Sequence, residues 1–264
     1  NRIMKKFLVI GNPIKHSLSP ELHNFWIKQK KINAIYEKKQ LEEKDIPKLI
    51  NEMRNNKIRG INVTIPYKKL IIKFVDELSK VAKDVQSVNT LYKKNNKIVG
   101  DNTDVGGFGK ALKHINYNVK GKKVLILGAG GVVNSIIYSL KKKNAGEITL
   151  SNRTRSKAEA LQKIFKYIKI VEWGKTSEFD MIINATSIGL KAEDKIEIDY
   201  SKHVNKFFYD VIYNPTETHF LKMAKKSKNK VENGKLMFIY QAKLAFELWH
   251  NKKIMISDNV LDYL

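Results

Sequence analysis

The chain has 264 residues, 42 % hydrophobic and 29 % charged, which suits folded domains rather than disorder and sets two domains as the prior. It holds no cysteine, so disulfides and thiolate metal sites are excluded, in keeping with a reducing cytoplasm. Its formal net charge is +24, yet the lysines are scattered ("KQKK", "KKNNK", "KKSKNK") among abundant Asn and Ile, as in proteins from AT-rich genomes. No arginine stripe interleaved with aromatics accompanies them, so no nucleic-acid partner is expected. The positive field would instead speed capture of small anions.

"KFLVIG" is an apolar run closed by Gly11 and Pro13, a buried first strand. It is too short for the core of a signal peptide, and no later stretch approaches the ~18 apolar residues of a membrane span. A cytoplasmic protein without a membrane partner is expected. Met4 is read as the natural start, with residues 1–3 added ahead of it. "SPELHNFWIKQKK" reads as a helix with Ser19 as N-cap and Pro20 at its first position. "AIYEKKQ" is a second strand, and "KDIPKLINEMRNN" a helix that Pro47 interrupts near its start. "GINVTI" is the third strand, with Ile61, Val63 and Ile65 in the core and Asn62 and Thr64 on the other face. Pro66 stops it, because proline cannot donate to a sheet ladder. Helical stretches reach Val85, and "SVNTLYKKNNKIVGDN" makes two strands around an Asn-Asn turn.

From Thr103 the pattern restarts. "TDVGGFGKALKHI" is a linking helix, "KKVLILGAGG" a buried strand ending in glycines, and "VVNSIIYSLKKKN" the helix after it. "EITLSNRT", "KIVEW", "DMIINAT" and "FFYDVIY" are further strands, and "GKLMFIYQAKLAFELWHNKK" is a last long helix returning to the first unit. Alternating strands and helices imply two open, largely parallel α/β sheets. The first domain is expected over 1–103 plus 236–264, the second over 104–235.

"VLILGAGGVV" sets Gly128, Gly130 and Gly131 between a strand and a helix. Glycines there permit a tight turn and close approach of a pyrophosphate to the helix N-terminus. Val133 stands where the usual fingerprint has its third glycine. The next strand ends in "TLSNRTRSK" with no carboxylate for a ribose 2′-OH. Its cations Arg153, Arg155 and Lys157, with Asn152 and Thr154, suit a 2′-phosphate, so NADP is expected over NAD. In the first unit, Ser17, Ser19, Asn62, Thr64, Asn89, Thr90, Asn102 and Asp104 gather where strands end. Hydroxyls and amides suit a polyhydroxylated ligand, since each donates and accepts. Singly, these residues read more readily as caps and turns; their clustering carries the argument. Lys68, one lysine among many, is distinguished by arriving beside them just past Pro66.

The segments "GNPIKHSLSP", "GINVTIPYK", "SVNTL", "GDNTD", "LGAGG", "SNRT", "INATSIG", "DVIYNPTET" and "YQA" together resemble the shikimate dehydrogenase family along nearly the whole chain. That resemblance implies NADPH-dependent reduction of 3-dehydroshikimate to shikimate, on the way to chorismate and aromatic amino acids. It implies a split substrate domain and a Rossmann-like NADP domain with a cleft between them. By the same resemblance Lys68 and Asp104 are the catalytic pair, and Ser17 and Ser19 bind the substrate carboxylate. Asn62, Thr64, Asn89, Asp104, Tyr213 and Gln241 complete the substrate site. Gly128, Ala129, Gly130, Gly131, Asn152, Arg153, Thr154, Lys157, Thr186, Ser187, Ile212, Gly234 and Met237 hold the cofactor. Val105, Leu190 and Ala242 depart from residues common in the family. No metal is called for, and a monomer or homodimer is expected. The rival readings are a quinate/shikimate dehydrogenase using NAD and a non-catalytic NADP-binding regulator, which need not keep both Lys68 and Asp104.

Overall fold

The run Phe7–Ile10 contains no polar residue because its strand is covered on both faces, each residue being at most 3 % exposed. The computed structural model describes residues 2–264. Asn1, one of the residues read as preceding the natural start, lies outside the described residues. The first elements are β1 (Lys5–Gly11), α1 (Ser19–Gln29), β2 (Ala34–Gln40), α2 (Ile46–Arg54), β3 (Gly60–Val63), β4 (Glu77–Leu78), α3 (Lys80–Val85), β5 (Thr90–Lys94), β6 (Lys97–Asp101) and α4 (Asp104–His114). There follow β7 (Val124–Leu127), α5 (Gly131–Lys142), β8 (Ile148–Ser151), α6 (Arg155–Ile164), β9 (Lys169–Ile170), β10 (Met181–Asn184), β11 (Phe207–Asp210), α7 (His219–Lys226), β12 (Lys230–Glu232), α8 (Lys235–His250) and α9 (Asp258–Tyr263). The chain divides into two units, one running to Gly107 and resuming over Ile239–Leu264, the other Phe108–Phe238. The divisions fall inside α4 and α8.

The first unit holds a mixed sheet in the order β2-β1-β3-β5-β6-β4. β1 runs parallel to β2 and β3, while β5 is antiparallel to β3 and β6. Leu8, Ile10, Ile61 and Val63 share one core with Ile46, Leu49 and Met53 of α2. Phe7 points to the other face and meets Trp249 of α8 at 5.1 Å, beside Trp26 packed on Phe246 at 5.6 Å. The Trp249 indole donates to Leu91 O at 3.0 Å, so α8 is fastened to the sheet by a hydrogen bond as well as by packing.

The second unit holds an all-parallel sheet in the order β12-β11-β10-β7-β8-β9. Counted from β7 this is 3-2-1-4-5-6, and the order reverses between β7 and β10, where open α/β sheets bind ligands. Leu125, Leu127, Ile182 and Phe208 form its core with Phe220 and Leu221 of α7. Val133 is fully buried, so its side chain does fit in the place of the third glycine.

Several local expectations need correction. Pro47 lies in the first turn of α2, where its missing N–H is not needed, so it opens the helix rather than interrupting it. Ser19 is not the N-cap of α1: Leu18 occupies that position and Ser19 is already helical. β3 ends at Val63, one step before the last in-register partner of β1 is used up, and Ile65 is 68 % exposed rather than core. β4 was not foreseen within 70–85, because its two residues are polar-to-apolar and too short to show alternation; Asp76 prepares it by bonding Ile98 N at 2.7 Å. β12 was also missed, and the strand expected around "KIVEW" shrinks to the two residues of β9.

Candidate functional site

Past β3 the chain makes a turn in which Tyr67 N–H donates to Thr64 O at 3.0 Å. The Tyr67 ring is buried and its hydroxyl donates to Leu41 O at 2.7 Å. With that anchor fixed, the next residue is delivered to the strand ends. Lys68 O accepts from Val88 N–H at 2.8 Å, and the Lys68 ammonium donates to Asp104 Oδ2 at 2.7 Å. The two side chains are 13 % and 6 % exposed, so the pair is poorly screened by water. One ammonium hydrogen is spent on Asp104 and two remain. Asp104 opens α4, where the helix dipole favours a carboxylate. Asn102 supports that turn: its Oδ1 accepts from Val105 N–H at 3.0 Å and its amide donates to Ser87 O at 2.9 Å.

A buried polar network adjoins the pair. Both amide hydrogens of Asn62 are spent, on Asn89 O and Thr90 Oγ1 at 3.1 Å each, and its Oδ1 accepts from the Tyr36 hydroxyl at 2.7 Å. Asn62 therefore braces its neighbours and has little capacity left for a ligand. Asn89 donates to Thr103 Oγ1 at 2.8 Å and accepts from Thr103 N–H at 2.7 Å, keeping one amide hydrogen. Burial pushes the Tyr36 hydroxyl well above the ordinary phenol range, and the Ser19 hydroxyl bonded to it pulls the other way. Tyr36 is thus a neutral link between Ser19 and Asn62. Ser19 N–H donates to Ser17 Oγ at 3.3 Å, leaving the hydroxyl hydrogen of half-buried Ser17 to donate elsewhere. Thr64 closes on Gly11: a Cβ there would stand 2.6 Å from Thr64 Cγ2, so only glycine admits this side chain. Gln241 lies on α8 with its backbone against Gly107.

In the second unit, Gly128 has φ +117°, and a Cβ on it would stand 2.7 Å from Ala185 O, so this turn needs glycine on both counts. Ala129 is buried in the same turn. Gly130 caps α5 with open space where its side chain would be, and Gly131 begins the helix. Backbone can therefore be approached closely at a helix N-terminus. Asn152 bonds Thr154 O at 2.9 Å and shapes the loop after β8. Arg155 is engaged with Glu159 at 3.1 Å. Arg153 and Lys157 are exposed and, among the described residues, have no carboxylate partner. Glycines, helix N-terminus and these cations fit a dinucleotide carrying a 2′-phosphate.

A second buried network lies at the ends of β10 and β11. Asp210 Oδ2 accepts from the Thr218 hydroxyl at 2.6 Å, and its Oδ1 accepts from Ile212 N–H at 3.0 Å and from the Asn184 amide at 3.2 Å. Asn184 Oδ1 accepts from Thr186 N–H and from its hydroxyl, at 3.0 and 2.6 Å. Thr186 is thereby committed to its own loop, while Ser187 is exposed. Burial raises the Asp210 carboxyl to about 6, against the pull of its three donors. Ile212 and Met237 are buried, Tyr213 stacks on Phe238 at 4.7 Å, and Gly234 N–H donates to Ile212 O at 3.3 Å.

Tyr36, Thr103, Asn184 and Asp210 are the contributors that sequence reasoning passed over. Asn184 and Asp210 did leave a signal, since each is the polar residue closing an apolar strand ("MIIN", "FFYD"). Tyr36 left almost none within "AIYEKKQ". Among the described residues no helix is long and apolar enough to cross a membrane, and no group of three His, Asp or Glu could hold a metal ion.

Two family profiles match: the shikimate dehydrogenase substrate binding domain over residues 9–91 and shikimate / quinate 5-dehydrogenase over 110–211. The chain is 62 % identical to a shikimate dehydrogenase (NADP(+)) of Pelagibacter ubique, covering 93 % of each. Among solved structures, shikimate dehydrogenase from Aquifex aeolicus matches with TM-score 0.89 at 35 % identity, covering 99 % of this chain and 97 % of that one. The Thermus thermophilus enzyme, in complex with NADP(H) and shikimate, matches with TM-score 0.89 at 31 % identity, covering 99 % and 100 %. With two profiles side by side and a relative this similar over nearly its whole length, the chain belongs to the shikimate dehydrogenase family.

Proposed function

We propose that this family member reduces 3-dehydroshikimate reversibly to shikimate with NADPH, and that Lys68 and Asp104 are its acid–base pair. The observation that carries the assignment is a shielded Lys68–Asp104 contact of 2.7 Å set among hydroxyls and amides. When bound, NADPH supplies the hydride. Gly128, Ala129, Gly130 and Gly131 admit its pyrophosphate, Asn152, Arg153, Thr154 and Lys157 its 2′-phosphate, and Thr186, Ser187, Ile212, Gly234 and Met237 its nicotinamide end. Ser17 and Ser19 bind the substrate carboxylate; Thr64, Asn89, Tyr213 and Gln241 contact its ring and hydroxyls, with Asn62 bracing them.

In this reading the two free ammonium hydrogens of Lys68 face the substrate carbonyl oxygen. They stabilise the negative charge that develops there, and one proton passes to the oxygen as the carbon takes the hydride. Asp104 keeps the ammonium aimed through the transfer. In the oxidative direction the neutral amine takes the alcohol proton back. Residues 1–103 with 236–264 are assigned to substrate and 104–235 to NADP. The test is NADP+ reduction with shikimate, then with quinate, with NAD+ as control. Turnover with shikimate and NADP+ alone supports the reading; equal turnover of quinate with NAD+ favours the broader enzyme; no turnover of either leaves only a nucleotide-binding protein.

A further inference from the structure

The Arg153 guanidinium lies over the indole of Trp173, 5.6 Å from its ring centroid. Trp173 follows the edge strand β9 and is half-buried. Both residues line a cavity of about 70 Å³ with Leu127 and Ser151, the last residues of β7 and β8. The pair therefore stands at the carboxyl ends of the strands. Ser151 is 1 % exposed and its hydroxyl has no hydrogen-bond partner among the described residues. Glu197 lines the same cavity without pairing to Arg153.

A guanidinium has two flat faces and a rim of N–H donors, and a ring beneath one face leaves the rim free for phosphate. An exposed arginine otherwise samples many rotamers and loses that freedom when it binds. We propose that Trp173 is a positioning residue for Arg153, holding the guanidinium at the end of β8 and so setting the preference for a 2′-phosphorylated adenine nucleotide over the unphosphorylated one. This rests on the reading of Arg153 as a 2′-phosphate group's partner.

The experiment is calorimetric titration of the full chain with 2′,5′-ADP and with 5′-AMP. In Trp173→Ala the affinity for 2′,5′-ADP falls about three- to tenfold, the range of a partly exposed cation–π contact, while 5′-AMP binding is unchanged. Trp173→Phe retains most of the affinity. The Michaelis constant for shikimate stays the same in both. In the native protein 2′,5′-ADP changes tryptophan emission, and Trp173→Phe abolishes that change. Unaltered 2′,5′-ADP affinity in Trp173→Ala, or an equal loss for both nucleotides, overturns the proposal. Arg153→Ala separates the two levels. If it too keeps full selectivity for the 2′-phosphate, the clamp reading itself fails. If it loses selectivity and Trp173→Ala does not, only the role of Trp173 falls.

Discussion

In the first unit the polar groups at the strand ends hold one another: Lys68 on Asp104, Asn62 on Tyr36, Asn89 on Thr103, all buried or nearly so. In the second unit the cations offered to a nucleotide, Arg153 and Lys157, are exposed, and the contacts proposed for its pyrophosphate are backbone at glycines and a helix start. A buried side-chain network is organised before a ligand arrives and keeps its strength at high salt. Exposed cations act through a field that ions screen within about 10 Å at 0.1 M. The substrate end thus relies on side chains already bonded to one another, while the nucleotide end adds exposed cations for long-range capture.

The sharpest way to break this contrast is Lys68→Ala, which should lower turnover at least ~10²-fold, the range of an acid–base group, while the protein stays folded with a lowered thermal midpoint, since Asp104 loses its partner. Near-normal turnover would end the assignment of Lys68. Asp104→Asn should cost about tenfold or more in turnover and leave NADPH binding alone, since it disturbs aim rather than the cofactor. Arg153→Ala should raise the Michaelis constant for NADPH about tenfold, as expected for a charge-assisted hydrogen bond, and spare that for shikimate. Raising salt from 0.05 to 0.5 M should weaken NADPH in the same selective way; equal weakening of shikimate would erase the distinction.

Asp210 sharpens the comparison from the stability side. Its carboxyl is raised to about 6 from 3.8, so its contribution to stability is fully present below pH 3.8 and is lost as pH rises through about 6. Asp210→Asn removes this loss, because the amide oxygen still accepts from Ile212 and Asn184 and the Thr218 hydroxyl can turn to accept from the amide. Unfolding free energies from urea titrations between pH 4 and 7 should decline in the native protein by on the order of 2–3 kcal/mol more than in the variant. Parallel curves would show that Asp210 is not so buried in solution. The smallest effect is expected of Tyr36→Phe, about 1 kcal/mol of stability from one buried hydrogen bond, with a modest rise in the Michaelis constant for shikimate and none for NADPH.

The alternation of β and α and the glycine turn were legible because periodicity and φ-permissive residues are local properties. Lys68 and Asp104 were legible only through the company they keep and through family resemblance; nothing local marks one lysine among so many. Brace residues escaped for a different reason. Tyr36 and Asn62 meet across β1, 26 positions apart, and that pairing depends on strand order. Ser19 misled because a serine before a proline carries the signature of a cap whether or not the preceding residue takes the position. Ile65 misled because alternation was extended two residues past the end of the ladder.

Val88 N–H closes on Lys68 O at 2.8 Å, and Val88 is itself fully buried. The deuterium uptake of this one amide is therefore a clock on the lysine's backbone. Slow uptake at a rate set by global unfolding would mean that the loop carrying Lys68 opens only when the whole unit does; fast uptake would mean that the lysine can leave its carboxylate while the sheet around it stays intact.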